Sequence, residues 1–150
     1  PPEARRSVWD LRSGPLKGLS LVGALRRETD KAAGGNVRAS FNVEGEDRVL
    51  PGGVEASVLR ICQEALANML KHANASRVAV TIEFDDAWVR LTVEDDGVGF
   101  EPVIPKHWDR DSGGFGLVSM RERAHLLGGE LTVSSAIGRG TTVKAAMPLK

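Results

Sequence analysis

Two runs of strict alternation constrain this chain more than any other feature: Val78, Val80, Ile82 and Phe84, then Val89, Leu91 and Val93, with Asp85-Asp86 between them. Successive strand side chains point to opposite faces, so each run carries one apolar and one polar face, and the short polar break predicts a β-hairpin. A sheet that is dry on one side and wet on the other fits a largely antiparallel arrangement covered by helices on one face only. The remaining pattern supplies that cover. Leu16, Leu19, Val22 and Leu25 recur at three-residue steps in a segment that stops at Gly34-Gly35, which predicts an amphipathic helix with a glycine terminus. Val58, Cys62, Ala65, Leu66 and Met69 form one stripe of a long helix over Val54 to Ala73. A third helix is predicted from Gly116 to Leu127, ended by Gly128-Gly129, and further strands at Val37 to Val43, 130 to 136 and 140 to 148. The order is α-β-α-β-β-α-β-β, a two-layer α/β sandwich with a mixed, largely antiparallel sheet.

At 150 residues and 41% hydrophobic content, the chain has room for one domain with a substantial core. Its 20 basic and 20 acidic residues cancel, so direct nucleic-acid binding is not expected. The single cysteine, Cys62, excludes a disulfide framework and suits a reducing compartment. No apolar run approaches the roughly 18 residues of a membrane span, and a cytoplasmic domain is expected. The chain begins at Pro1, and "RRSVWDLR" before the break "SGP" reads as the end of a preceding element, so residues 1–15 are assigned to that element and 16–150 to the domain itself.

The chemistry concentrates in four segments. In "DDGVGF", residues 95–100, the parity that buries Val89, Leu91 and Val93 also turns Asp95 inward and Asp96 outward. A buried carboxylate needs a donor, either a protein group or a ligand group such as an exocyclic amine, and Gly97 and Gly99 allow the backbone to approach a flat ligand. The competing reading is an ordinary Asp-Gly turn. On the long helix, Glu64, Asn68, Lys71 and His72 fall at i, i+4, i+7 and i+8 and form one polar stripe, either a solvated face or a cation- and phosphate-facing one. "GGFGL", residues 113–117, places glycines before a helix N-terminus, where free amides favour phosphate. "GRGTT", residues 138–142, leads into a strand in which Thr141 shares the inward parity of Val143, Ala145 and Met147.

In this order the segments resemble the ATP-binding catalytic domain of bacterial sensor histidine kinases, in the superfamily shared with gyrase, the heat-shock chaperone and mismatch-repair ATPases. "QEALANMLKHANA" resembles the asparagine box, "DDGVGF" the first glycine box, "GGFGLVSMRERA" the second and "GRGTT" the third, over about residues 50–148. The "MRERA" ending is most similar to the nitrate-sensor-related subfamily, and "VWDLR" to the end of its dimerisation helix. The resemblance implies a Bergerat-type fold in which Asp95 accepts from the adenine amino group, with Gly97, Gly99 and Thr141 around the base. It implies magnesium on Asn68, with Glu64 acting through metal-bound water, and Lys71, His72, Gly114, Gly116 and Leu117 around the phosphates.

The implied cofactors are ATP and Mg2+. The implied partners are a dimerisation and histidine-phosphotransfer domain of a homodimeric parent, with membrane attachment left open, and a response regulator with a helix-turn-helix output domain; the isolated fragment is expected to be monomeric. A serine kinase of the same superfamily and a non-catalytic ATP sensor are the alternatives. Ser119 replaces a frequent glycine of the second box, and residues 101–113 are long and charged, as a mobile lid would be. None of His72, His107 and His125 sits in a phosphoacceptor context, so the acceptor is expected on another segment. Arg121 and Arg123 read as a solvated helix face or a contact to another domain.

Overall fold

The computed structural model describes residues 20–34, 36–46, 48, 50–98 and 117–149. Its elements are α1 (Leu21–Ala32), β1 (Arg38–Glu44), α2 (Gly52–Asn68) running into a π turn (Met69–Ala73), β2 (Arg77–Phe84), β3 (Trp88–Asp95), α3 (Leu117–Leu126), β4 (Glu130–Ser135) and β5 (Thr141–Pro148). They reproduce the order read from the sequence. The strands form one sheet in the order β1-β2-β3-β5-β4. β1 runs parallel to β2, with α2 as the crossover that a parallel pair requires, and the other pairs are antiparallel.

The hairpin forms as the alternation dictates. Asp85 closes it by accepting from the Ala87 and Trp88 amides at 2.9 and 2.6 Å. Register then aligns the apolar side chains in rows across the sheet. Val80, Val93, Val143 and Val133 form one row, and Ile82, Leu91, Ala145 and Leu131 the next. Helix side chains including Leu25, Leu59, Ile61 and Met120 bury themselves against this face. The opposite face carries Thr81, Glu83, Arg90, Thr92, Glu94 and Lys144, all half-buried or exposed.

Two helix boundaries differ from expectation. α1 starts at Leu21, because Ser20 is extended (φ −68°, ψ 164°) and its hydroxyl accepts from the Gly23 amide at 3.0 Å as an N-cap. Leu16 and Leu19 lie outside the described residues. The buried face is Leu21, Ala24, Leu25, Thr29 and Ala32, with Val22 at its margin. A three-residue step drifts by about 60° around a 3.6-residue helix, so the inferred stripe could not stay on one side.

The long helix is not α-helical to Ala73. It widens into the π turn after Asn68 and is stopped by Asn74 in the left-handed region (φ 48°). Polar spacing alone does not distinguish a 3.6-residue turn from a wider one over five residues. The α2 stripe is otherwise as expected but broader, since Val54, Glu55, Leu59 and Ile61 are buried as well. Buried Glu55 accepts from the Leu50 amide at 3.1 Å, which fastens the chain entering α2.

Because Ile82 is fully buried in the central rows, Ile82→Ala should cost about 2–5 kcal/mol of unfolding free energy in urea titrations. Lys144→Ala, on the exposed face of β5, should stay within about 0.5 kcal/mol.

Candidate functional site

The inner rows end on polar residues. One step beyond Val80, Val93 and Val143, the register pairs Val78 with Asp95 and Asp95 with Thr141. Asp95 thus occupies a core-facing position at the mouth of the sandwich and is half-buried there. Its Oδ1 accepts from the Gly97 amide at 2.8 Å. Burial pushes the Asp95 carboxyl above the usual carboxylate range, while hydrogen bonds from the Gly97 and Thr141 amides pull the other way and the charges of Asp96 and Glu94 reinforce the rise.

Thr141 is held from its other side, where the Ser135 and Thr141 hydroxyls lie 2.9 Å apart and Ser135 Oγ donates to the Gly140 carbonyl at 3.0 Å. Ser135 belongs to the site's support and carries no sequence signal beyond its register opposite Thr141. Gly140 has φ +80°, and a Cβ there would collide with the Asp95 carbonyl oxygen. The Gly138 amide donates to the Val98 carbonyl. Residues 95–98 and the turn at 138–140 are therefore held together through their backbones.

Asp96 faces outward, as its parity predicts, and does work that the sequence did not reveal. Its Oδ1 accepts from the Ser76 and Arg77 amides at 2.9 and 2.8 Å, its Oδ2 accepts from the Ser76 hydroxyl at 2.7 Å, and Arg77 Nε lies 3.5 Å from Oδ2. These donors hold its carboxyl at about 2, led by the Ser76 hydroxyl. The clamp joins the start of β2 to the end of β3 and so fixes where Asp95 points. The acidic pair divides into one ordering carboxylate and one that faces the core.

At the other side of the sandwich, α2 packs on β3 and β5. Glu64 and Asn68 are half-buried on it, and Lys71 is exposed in the π turn. Arg123 of α3 places Nε 3.8 Å from Glu64 Oε1. The reading of Arg123 as a solvated face is thereby corrected: the helix after the second glycine segment turns it onto α2, and Arg123 is half-buried. Glu64 likewise sits between helices and not on a solvated stripe. Gly99, Gly114 and Gly116, together with the lid segment 101–113, lie outside the described residues, as do the side chains of His72 and Leu117. His125 is exposed, in keeping with a residue that has no chemical task.

Residues 53–150 match the family model for histidine kinase-, DNA gyrase B- and HSP90-like ATPases. The chain belongs to this family. Its relatives include the signal transduction histidine-protein kinase/phosphatase DegS of Brevibacillus brevis (34% identical over 98% of this chain and 37% of the relative) and the sensor histidine kinase LiaS of Bacillus subtilis (38% over 98% and 39%). The oxygen sensor histidine kinase NreB of Staphylococcus carnosus is 34% identical over 98% of this chain and 42% of the relative. The chain therefore spans well under two thirds of the length of these relatives.

Among solved structures of the family, the histidine kinase domain of a blue-light activated histidine kinase from Erythrobacter litoralis superposes with TM-score 0.62 at 28% identity, covering 87% of this chain and 61% of that one. The ATP-binding domain of PrrB from Mycobacterium tuberculosis, at 22% identity, shares the fold with TM-score 0.62 over 88% of this chain and 96% of that one. Recognition from the four boxes and the two-layer fold are borne out. No described helix of this ATPase-family domain is long and apolar enough to cross a membrane.

An unfolded aspartate titrates near about 3.9, so the lowered carboxyl of Asp96 stabilises the fold fully above about pH 4 and loses that contribution as pH falls through about 2. Asp96→Asn should lower the urea midpoint at pH 7, and its difference from the parent protein should shrink below pH 4. A gap that stays constant to pH 2.5 would assign the clamp no charge-dependent role.

Proposed function

We propose that this domain binds magnesium-ATP and donates the terminal phosphoryl group to a histidine on a dimerisation domain of a longer parent protein in a two-component signalling system. The observation that carries the reading is Asp95, a half-buried carboxylate at the end of an apolar row, whose charge is penalised by burial until a ligand donor meets it. The adenine amino group is such a donor. Gly97 and Thr141 flank the carboxylate, and under this reading Gly99 would act beside them.

The Asn68 amide oxygen suits a hard cation. Mg2+ at such a site takes most of its ligands from phosphate oxygens and water. When bound, Mg2+ would neutralise phosphate charge. Glu64 would orient water beside it, and Lys71, His72 and the backbone at Gly114, Gly116 and Leu117 would line the phosphates. The protein's contribution is positioning: the β–γ bridging P–O bond breaks with its electron pair leaving on ADP, a P–N bond forms at the acceptor imidazole, and that imidazole loses its proton.

Under this reading, residues 16–150 are the catalytic domain and residues 1–15 the end of the dimerisation helix. The parent is a homodimer, the isolated fragment is monomeric and cytoplasmic, and a response regulator with a helix-turn-helix output domain receives the phosphoryl group.

ATP and ADP should bind in the micromolar to millimolar range, about −4 to −8 kcal/mol. GTP should bind much more weakly, because its carbonyl would oppose the Asp95 carboxylate acceptor to acceptor. Titration calorimetry with both nucleotides tests this, and equal affinities would refute the role of Asp95. Since the raised carboxyl must ionise to accept from the amine, ATP affinity should also fall as the pH is lowered through the acid range.

The chain alone should bind ATP without labelling itself. Adding the upstream dimerisation segment should give a phosphoprotein that is labile in acid and stable in base, and Asn68→Asp should abolish it. An acid-stable product would mark a serine kinase. No product with any upstream segment would leave a non-catalytic ATP sensor.

A further inference from the structure

α2 and α3 are joined by an ion pair, with Arg123 Nε 3.8 Å from Glu64 Oε1. Both Arg123 Nε and Glu64 Oε2 are shielded from solvent although the two side chains are partly exposed as wholes. The distance is that of an ion pair and not of a hydrogen bond. Glu64 lies one helical turn before Asn68 on the same side of α2, so its carboxylate is the acidic group next to the proposed magnesium-phosphate end of the site. A carboxylate in that place has an unwanted option. It can take a proton from water while the water oxygen bonds to the γ-phosphorus and the β–γ bridging P–O bond breaks, giving ADP and inorganic phosphate. That reaction spends ATP without reaching a protein acceptor.

We infer that Arg123 is a specificity-determining positioning residue that holds the Glu64 carboxylate by charge and so suppresses transfer of the phosphoryl group to water. The inference rests on the magnesium-ATP reading. Lys71, further along α2, is exposed in the π turn, and Arg48, Arg77 and Arg90 pair with Asp86, Asp96 and Asp85. Arg123 comes from the helix that follows the second glycine segment, so its hold on Glu64 also ties that helix to the asparagine-box helix.

The test uses the 150-residue chain and two readouts, ATP affinity by calorimetry and phosphate release under saturating magnesium-ATP. Arg123→Gln should raise phosphate release roughly ten-fold, a modest part of what a positioned base supplies, with ATP affinity changed by less than about three-fold, a shift of under 1 kcal/mol. Arg123→Lys, which keeps the charge, should remain near the parent rate, and adding Glu64→Gln to Arg123→Gln should remove the gain. A merely structural role would move stability or affinity and leave this pattern absent. Unchanged phosphate release in an Arg123→Gln protein that still binds ATP overturns the inference and leaves the ATP reading standing. If Arg123→Gln and Arg123→Met both lose ATP binding, the pair holds the fold and does not choose the acceptor, which also overturns it. Failure of the parent chain to bind ATP would instead remove the reading beneath it.

Discussion

Ending an apolar row on a carboxylate is the constraint around which the rest of this domain is arranged. Asp95 takes the inward position because β3 is fixed between β2 and β5, and each neighbour contributes to holding it there. Asp96 fastens the same strand end to the start of β2 through three hydrogen bonds. Gly140 lets the opposing turn approach the Asp95 backbone, where any other residue would collide with its carbonyl. A charge desolvated in this way, with amides meeting only part of its demand, favours a ligand that brings a donor. Under the proposed function, this edge is ready for the base before any nucleotide arrives.

The end that the proposed function gives to the phosphates is built differently. Asn68 closes the regular part of α2, and the wider turn that follows shifts Lys71 off the line that an unbroken α-helix would give it. Wider turns of this kind occur often at functional sites, where they re-aim side chains at a small cost in regularity. Under the proposed function the two ends divide the work: Asp95 selects the base, while the asparagine-box side chains and the backbone of the second glycine segment position the phosphates. Under the proposed function the domain is half an enzyme, and its relatives, more than twice its length, are named as histidine kinases.

Much of this was legible in the residues. Strict alternation placed β2 and β3, and the same parity placed Asp95, Asp96 and Thr141 on their observed faces. These features were readable because a strand's two-residue period leaves no choice once one face is buried. Helix limits were less legible. Ser20 caps α1 through a hydrogen bond to Gly23, and the apparent three-residue spacing of leucines pointed upstream of it. The π turn leaves no mark in polar spacing over so few residues. Least visible were contacts made across elements: Ser135 beneath Thr141, Asp96 around Ser76 and Arg123 on Glu64. Each depends on tertiary approach, which a single sequence encodes only collectively.

The central claim, that the Asp95 carboxylate meets the amino group of adenine, is tested most directly by a double-mutant cycle in which the ligand supplies one of the two changes. ATP and purine riboside triphosphate, which lacks the amino group, are each titrated against the parent chain and against Asp95→Asn, with circular dichroism verifying the fold. The account predicts that removing the amino group costs the parent chain roughly 1–3 kcal/mol, about 10- to 100-fold in affinity, and costs Asp95→Asn clearly less, so that the two changes are coupled. Equal losses on both proteins, with no coupling between residue and amine, would contradict it.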